Sequence, residues 1–233
     1  MNQAQIDEIL KLNEAFYKKA SVPFSKTRQN YWKGWGRAVD VLSFNGHSTI
    51  TVLDAGCGNG RFLGFLKERL PSAEIKYTGV DLNDGLLAEA RHNYTDGDFT
   101  KMDALKELPA AQFDLVVSFG VTHHIPGLEL QSKFFTGAAK TVTDGGFLII
   151  TFWDFDISKA VKKLGEDGDF LLGWDKDPGL QRYCHLYSQT EKSAVVDLMK
   201  KNGLALIDSF EDDGKNSSSN DYFIFRKIDT IAV

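Results

Sequence analysis

The chain has 233 residues, 42% hydrophobic and 25% charged, with a formal net charge of −5, as in one ordinary globular domain. Two cysteines, Cys57 and Cys184, are too few for a disulfide framework or a zinc site, and both read as packing residues, so no metal is expected. No apolar run is as long as a membrane helix, Met1 to Leu10 lacks the start of a secretory signal, and the acidic balance opposes a surface uniformly attractive to nucleic acid. A cytoplasmic protein with no membrane partner is expected.

Ile6, Ile9, Leu10, Asn13 and Phe16-Tyr17 follow helical spacing, and Ser21-Val22-Pro23 is expected to stop that helix. Phe24-Ser25-Lys26-Thr27-Arg28 then reads as a loop ending in a fixed cation. A second amphipathic helix is expected from about Gln29 to Leu42, with Tyr31, Trp32, Trp35, Val39 and Leu42 apolar. Seven basic residues between Lys11 and Arg37 stand against one acid, Glu14. Residues 1–45 thus read as a helical lid over the unit that follows.

That unit begins where an apolar run, Ile50, Val52, Leu53, ends in Asp54, followed by Gly56, Gly58 and Gly60 and by amphipathic Arg61 to Leu70. The order is strand, tight glycine loop, helix N-terminus, with backbone N–H groups facing a ligand. A dinucleotide fingerprint would place a third glycine where Arg61 stands. The acid before the turn repels a pyrophosphate and suits an amine or a sulfonium. Asp54 to Gly60 resembles the first motif of class I S-adenosylmethionine-dependent methyltransferases. The resemblance implies S-adenosyl-L-methionine as cofactor, with Asp54, Gly56, Cys57, Gly58 and Gly60 around it.

A second strand, Ile75 to Leu82, ends at Asp81, 27 residues after Asp54, where a βαβ unit places the acid for ribose hydroxyls; Leu82 stands beside it. After a helix, Gly85 to Arg91, a short strand leads to Asp103, a candidate acceptor for the adenine amino group, with Met102 and Ala104 packing on the ring. Phe113 to Phe119 reads as a strand buried on both faces, and Ser118 near its end joins the cofactor-side candidates. His123 and His124 follow, at the carboxyl end of the sheet where ligands bind in doubly wound folds. A helix near Leu130 to Thr141, a turn at Asp144-Gly145-Gly146 and a strand from Phe147 to Phe152 complete five parallel strands with helical crossovers. Residues 154–187 break the rhythm and read as an aperiodic, substrate-side insertion. Ser188-Gln189-Thr190-Glu191 is a capping box opening a helix through Met199, and Leu204 to Phe210 and Tyr222 to Lys227 form a hairpin. The fold class is therefore α/β: a Rossmann-like seven-stranded sheet of the class I methyltransferase kind, mostly parallel, with an antiparallel C-terminal hairpin and helices on both faces. Residues 1–233 form one domain, with the lid at 1–45, the cofactor core at 46–153, the insertion at 154–187 and the last helix and hairpin at 188–233.

Over most of its length the chain is similar to the tRNA wobble-uridine carboxymethyl methyltransferases, the family that includes the methyltransferase part of the AlkB-homologue fusion. The likeness lies in Phe24-Ser25-x-Thr27-Arg28 with Trp32 following, Asp54 to Gly60, His123-His124, Trp153, and Arg182-Tyr183-x-His185-Leu186-Tyr187. It departs at Lys33, where the family tends to have proline, and in a shorter, less basic stretch before Arg182; both lie where RNA would be handled. The resemblance implies a carboxylate acceptor on tRNA. Such an acceptor is already ionised near neutral pH and needs no general base. His123, His124 and Trp153 would position it, while Tyr31, Trp32, Arg182, Tyr183 and His185 would bind the substrate. If the acceptor is a hydroxyl or an amine, one of the histidines becomes a candidate base. Arg28 is a candidate for bidentate binding of the cofactor's methionine carboxylate. Two other readings stand beside this one: methylation of a small-molecule acceptor, and a non-catalytic cofactor-binding subunit. A small activating protein subunit is a further expected partner.

Overall fold

The computed structural model describes residues 1–27, 29–44, 48–165, 168–174, 177–214 and 219–228. Helix α1 (Gln3–Lys26) and helix α2 (Lys33–Asp40) precede the sheet. Strand β1 (Thr49–Ala55) leads to α3 (Arg61–Arg69), β2 (Glu74–Asp81), α4 (Asp84–Asn93) and β3 (Asp98–Lys101). Strand β4 (Phe113–Ser118), a 3-10 turn at Thr122–His124, α5 (Leu128–Lys140) and β5 (Val142–Trp153) follow. A small sheet of β6 (Ala160–Lys163), β7 (Asp169–Trp174) and β8 (Asp177–His185) comes next. Helix α6 (Gln189–Lys201), β9 (Leu204–Asp212) and β10 (Asn220–Lys227) follow.

The main sheet has the order β3-β2-β1-β4-β5-β10-β9. The first five strands are parallel, and β10 is antiparallel to both β5 and β9. This is the seven-stranded class I methyltransferase sheet. Alternation along the central strands builds a core on each face. Val52, Leu115, Val117 and Ile149 pack on one side with Trp35, Phe62, Leu66 and Leu87 from α2, α3 and α4. Leu53, Val116, Leu148 and Ile150 pack on the other with Phe134, Phe135, Ala138 and Met199 from α5 and α6. Strand order reverses at β1 and β4, so their carboxyl ends open the crevice where such sheets take ligands. Among the described residues no helix is long and apolar enough to cross a membrane.

Several expected boundaries differ. Helix α1 does not stop at Pro23, and residues 24–26 continue it rather than forming a loop. Proline removes one N–H from the helix. The end is held instead by tertiary bonds: Ser25 Oγ donates to Glu89 at 2.7 Å and accepts from Asn59 Nδ2 at 3.0 Å. Helix α2 starts only at Lys33, because Trp32 is extended (φ −72, ψ 139). Strand β5 begins at Val142, with the Asp144-Gly145-Gly146 turn absorbed as a register shift against β4. The insertion is not aperiodic throughout, since β6, β7 and β8 form an antiparallel sheet. Phe170, Leu172 and Cys184 bury its inner face under Phe155, while exposed Lys162 and Lys163 interrupt the pattern on its outer strand.

The capping box of α6 is formed. Glu191 N–H donates to Ser188 Oγ at 3.3 Å, and Ser188 N–H donates to Glu191 Oε2 at 2.7 Å. Ser188→Ala is expected to lower stability by about 1 kcal/mol, read as a shift in denaturant midpoint at constant m-value.

Candidate active site

A cavity of about 1320 Å³ lies over the carboxyl ends of β1, β2, β4 and β5. Helix α1 forms one wall, Trp32, Lys33 and Trp35 another, and Asp213, Gly214, Ser219 and Asn220 of the β9–β10 connection a third. A single small ligand fills about 300–1000 Å³. This cavity is larger than that range.

The glycine loop shapes one half. Gly56 and Cys57 N–H donate to the Val80 carbonyl at 2.8 and 3.0 Å, pinning the loop to β2. Gly56 has φ +89, and a Cβ there would lie 2.2 Å from a Val121 methyl, so the turn admits only glycine. Gly58 N–H donates to Asp81 Oδ2 at 2.9 Å, and Asn83 N–H donates to Asp81 Oδ1 at 2.8 Å. Burial raises the Asp81 pKa and these backbone donors oppose it. Leu82, Met102, Asp103 and Ala104 line the same half. One Asp103 oxygen accepts Leu105 N–H at 3.1 Å, and the other pairs with Lys106 at 3.0 Å.

Asp54 is buried at 3% exposure beneath this loop. Its Oδ2 accepts the Tyr77 hydroxyl, while its Oδ1 has no hydrogen-bond partner among the described residues. Burial pushes its pKa up to about 7, against the Tyr77 bond that lowers it. An unsatisfied buried carboxylate oxygen beside a glycine cradle, with a second carboxylate at the end of β2, fits a ligand carrying a cation and a diol. Those are features of S-adenosylmethionine.

The other half is aromatic and basic. The His123 ring lies 4.1 Å from the His124 ring and 4.9 Å from Trp153. Arg182 is 8% exposed, its guanidinium 5.3 Å from the Trp153 ring and 4.9 Å from Phe16. Among the described residues no carboxylate pairs with it, and its Nε has no hydrogen-bond partner. His124 lies between Tyr17 Oη (2.6 Å from Nε2) and the Tyr183 carbonyl (2.9 Å from Nδ1). Burial, then the charge of Arg182, pushes its pKa down to about 3, so it is neutral near pH 7. His123, His124 and Cys184 bring three ligand-type atoms within 4.8 Å. Both His124 nitrogens are in hydrogen bonds, so a metal there would have to displace the Tyr17 hydroxyl from Nε2.

Most of the residues singled out from the sequence meet here, but not all. Asp54, Gly56, Cys57, Gly58, Asp81, Leu82, Asp103, Ala104, Tyr31, Trp32, His123, His124, Trp153 and Arg182 line the cavity. Tyr31 stands at its edge, its hydroxyl donating to Glu68 at 2.8 Å. Gly60 does not line it: a Cβ there would lie 2.8 Å from the Phe99 ring, so this glycine serves the packing of α3. Ser118 is fully buried, its hydroxyl donating to the Ala55 carbonyl at 3.1 Å. Tyr183 and His185 also face away. Tyr183 Oη donates to Asp169 Oδ1 at 2.5 Å, and the His185 ring bridges Asp169 (2.7 Å) and Glu191 (3.0 Å). Burial lowers the His185 pKa, but the two acids outweigh it and the net shift is upward. Arg28 lies outside the described residues. Sequence reasoning missed Tyr17, Tyr77 and Asn83, whose helical and strand spacing marks them only as packing or capping residues.

A family profile described as a methyltransferase domain matches residues 53–150. A protein of Encephalitozoon cuniculi that carries a methyltransferase name is 31% identical over 83% of this chain and 87% of its own length. The tRNA (carboxymethyluridine(34)-5-O)-methyltransferase of Saccharomyces cerevisiae is 29% identical over 68% of this chain, which spans 54% of the yeast protein. The crystal structure of an S-adenosylmethionine-dependent methyltransferase from Clostridium acetobutylicum matches with a TM-score of 0.65 at 15% identity, over 91% of this chain and 99% of that one. At that identity the likeness is one of fold.

Proposed function

The chain belongs to the methyltransferase family, and from that premise we propose that it moves a methyl group from S-adenosylmethionine to an oxygen of an acceptor carboxylate, that of a carboxymethylated wobble uridine in tRNA. The observation that carries this reading is Arg182, a buried cation at the aromatic end of the cavity that has no ion-pair partner among the described residues. A buried guanidinium calls for an anion, and its planar fork matches a carboxylate. The yeast relative's name specifies a carboxymethyluridine acceptor. Exposed Lys11, Lys18 and Lys33 at the cavity rim suit a polyanion despite the net charge of −5, because charges act over only about 8 Å at physiological salt.

S-adenosylmethionine supplies an electrophilic methyl group on a sulfonium. Asp81, held by two backbone N–H groups, would accept the ribose hydroxyls, and Asp54 would face the ligand's positive charge. Arg182 aligns both acceptor oxygens, and the Phe16 and Trp153 rings flanking it exclude water. Neutral His124 sets the local geometry and takes no proton, since the carboxylate has none to give.

A pH dependence follows from Asp54. With its pKa near 7, Asp54 is protonated at acid pH in the free protein, whereas a bound cation favours the carboxylate. S-adenosylhomocysteine retains the amine and serves as the probe. Its affinity is expected to be about tenfold weaker at pH 6 than at pH 8, with proton release seen as buffer-dependent binding enthalpy. For the free protein the sign is opposite: the raised pKa adds stability at low pH that is lost as pH rises from about 4 through 7. An affinity flat across this range would separate Asp54 from the ligand's charge.

The acceptor is tested by mass spectrometry of nucleosides from tRNA incubated with the protein and isotope-labelled cofactor. Label on a carboxymethylated uridine supports the proposal. Label confined to small carboxylic acids moves the acceptor to that class.

A further inference from the structure

Helix α1 is bound to both halves of the cavity, and one residue carries both links. On the cofactor side, Asn83 Nδ2 donates to the Tyr17 carbonyl at 2.7 Å. The same Asn83 donates its N–H to Asp81 Oδ1 at 2.8 Å and caps α4 by accepting Leu86 N–H at 3.0 Å. On the acceptor side, Tyr17 Oη lies 2.6 Å from His124 Nε2, and His124 Nδ1 lies 2.9 Å from the Tyr183 carbonyl. A nitrogen facing a carbonyl must carry the hydrogen, so Nδ1 donates and Nε2 accepts from Tyr17. One turn earlier on α1, Asn13 Oδ1 accepts the Tyr183 N–H at 2.8 Å. Arg182, the residue before Tyr183 in β8, packs its guanidinium on Phe16 of the same helix. Hydrogen bonds and one rigid helix thus join Asp81 to the strand bearing Arg182 without a gap.

We propose that Tyr17 is a positioning residue that couples the two half-sites. A ligand on Asp81 orders the Asp81–Asn83 turn, Asn83 then holds α1, and the Tyr17 hydroxyl sets His124 and with it β8. The coupling rests on the assignment of Asp81 to the cofactor made above. Because linkage is reciprocal, an anion seated on Arg182 raises cofactor affinity by the same factor that the cofactor raises affinity for the anion.

Hydrogen exchange with and without saturating S-adenosylhomocysteine tests this in the wild type, Tyr17→Phe and Asn83→Asp. Tyr17→Phe keeps the ring, which lies edge-on to Phe16 and His124, and removes only the hydroxyl. Asn83→Asp keeps the capping oxygen and the backbone N–H but loses the donor to the Tyr17 carbonyl. In the wild type the ligand is expected to slow exchange at the Asn83 amide and, by roughly fivefold or more, at the Tyr183 amide. In Asn83→Asp it should slow the residue 83 amide alone, and in Tyr17→Phe, where Asn13 still holds the Tyr183 N–H, the slowing at Tyr183 should be markedly smaller than in the wild type. A purely structural role would lower the resting protection of β8 in the variants yet leave the ligand-induced difference intact, and that result overturns the proposal. So does protection of Asn83 without protection of Tyr183 in the wild type. No protection of Asn83 in the wild type overturns the cofactor assignment itself, and the coupling with it.

Discussion

Arg182→Ala is expected to abolish most acceptor methylation while leaving S-adenosylhomocysteine affinity within about twofold. Removing one partner from a buried, hydrogen-bonded charge pair costs about 2–5 kcal/mol, or roughly 30-fold to several thousandfold in kcat/KM. Arg182→Lys should be nearly as poor, because a point charge cannot hold both carboxylate oxygens or replace the guanidinium plane near the Phe16 and Trp153 rings. The alanine variant also loses packing, so thermal stability must be measured beside activity. A variant that folds, binds the ligand and retains full turnover would remove Arg182 from acceptor binding and the carboxylate reading with it.

The second large effect concerns Asp81. Asp81→Ala removes the carboxylate that would hold the ribose diol, a loss of about 1.5–3 kcal/mol of binding free energy. It also frees the Gly58 and Asn83 N–H groups that shape the loop, so the loss should fall at the upper end of that range. Asp81→Asn keeps an acceptor oxygen but must turn its NH₂ toward one of those donors, and should recover only part of the affinity. Calorimetry with S-adenosylhomocysteine reads both. Unchanged affinity in the alanine variant would take Asp81 out of the cofactor site.

The centre of the sheet was legible because β1, β4 and β5 are buried on both faces and each parallel strand leads into a Gly or Asp turn. Asp54, Asp81 and Asp103 all stand at strand ends, where chain direction alone brings them to one crevice. Legibility failed where side-chain direction mattered. In β8, Arg182 faces the cavity, so Tyr183 must face the other way, and His185, two residues on, shares the Tyr183 side and the same Asp169 oxygen. Assigning all three to one pocket treated a strand as if it had a single face. The insertion escaped notice as a sheet because its outer strand, Ala160–Lys163, is short and ends in Lys162 and Lys163, with no apolar alternation. Proline and α1 show the opposite error: a strong local stop signal lost to tertiary bonds at Ser25. Tyr17 was not recoverable from spacing, since its function depends on Asn83 and His124, 66 and 107 residues away along the chain.

The fate of the transferred methyl group tests the account most directly. tRNA carrying carboxymethylated uridine is incubated with the protein and methyl-labelled S-adenosylmethionine, repurified, and exposed to mild alkali. The account predicts label incorporated by the wild type, lost in Arg182→Ala, and released as methanol, because a methyl ester hydrolyses where an N-methyl, C-methyl or ether linkage does not. Label that survives the alkali, or a cofactor-binding protein that labels neither tRNA nor any carboxylate, would contradict carboxylate methylation.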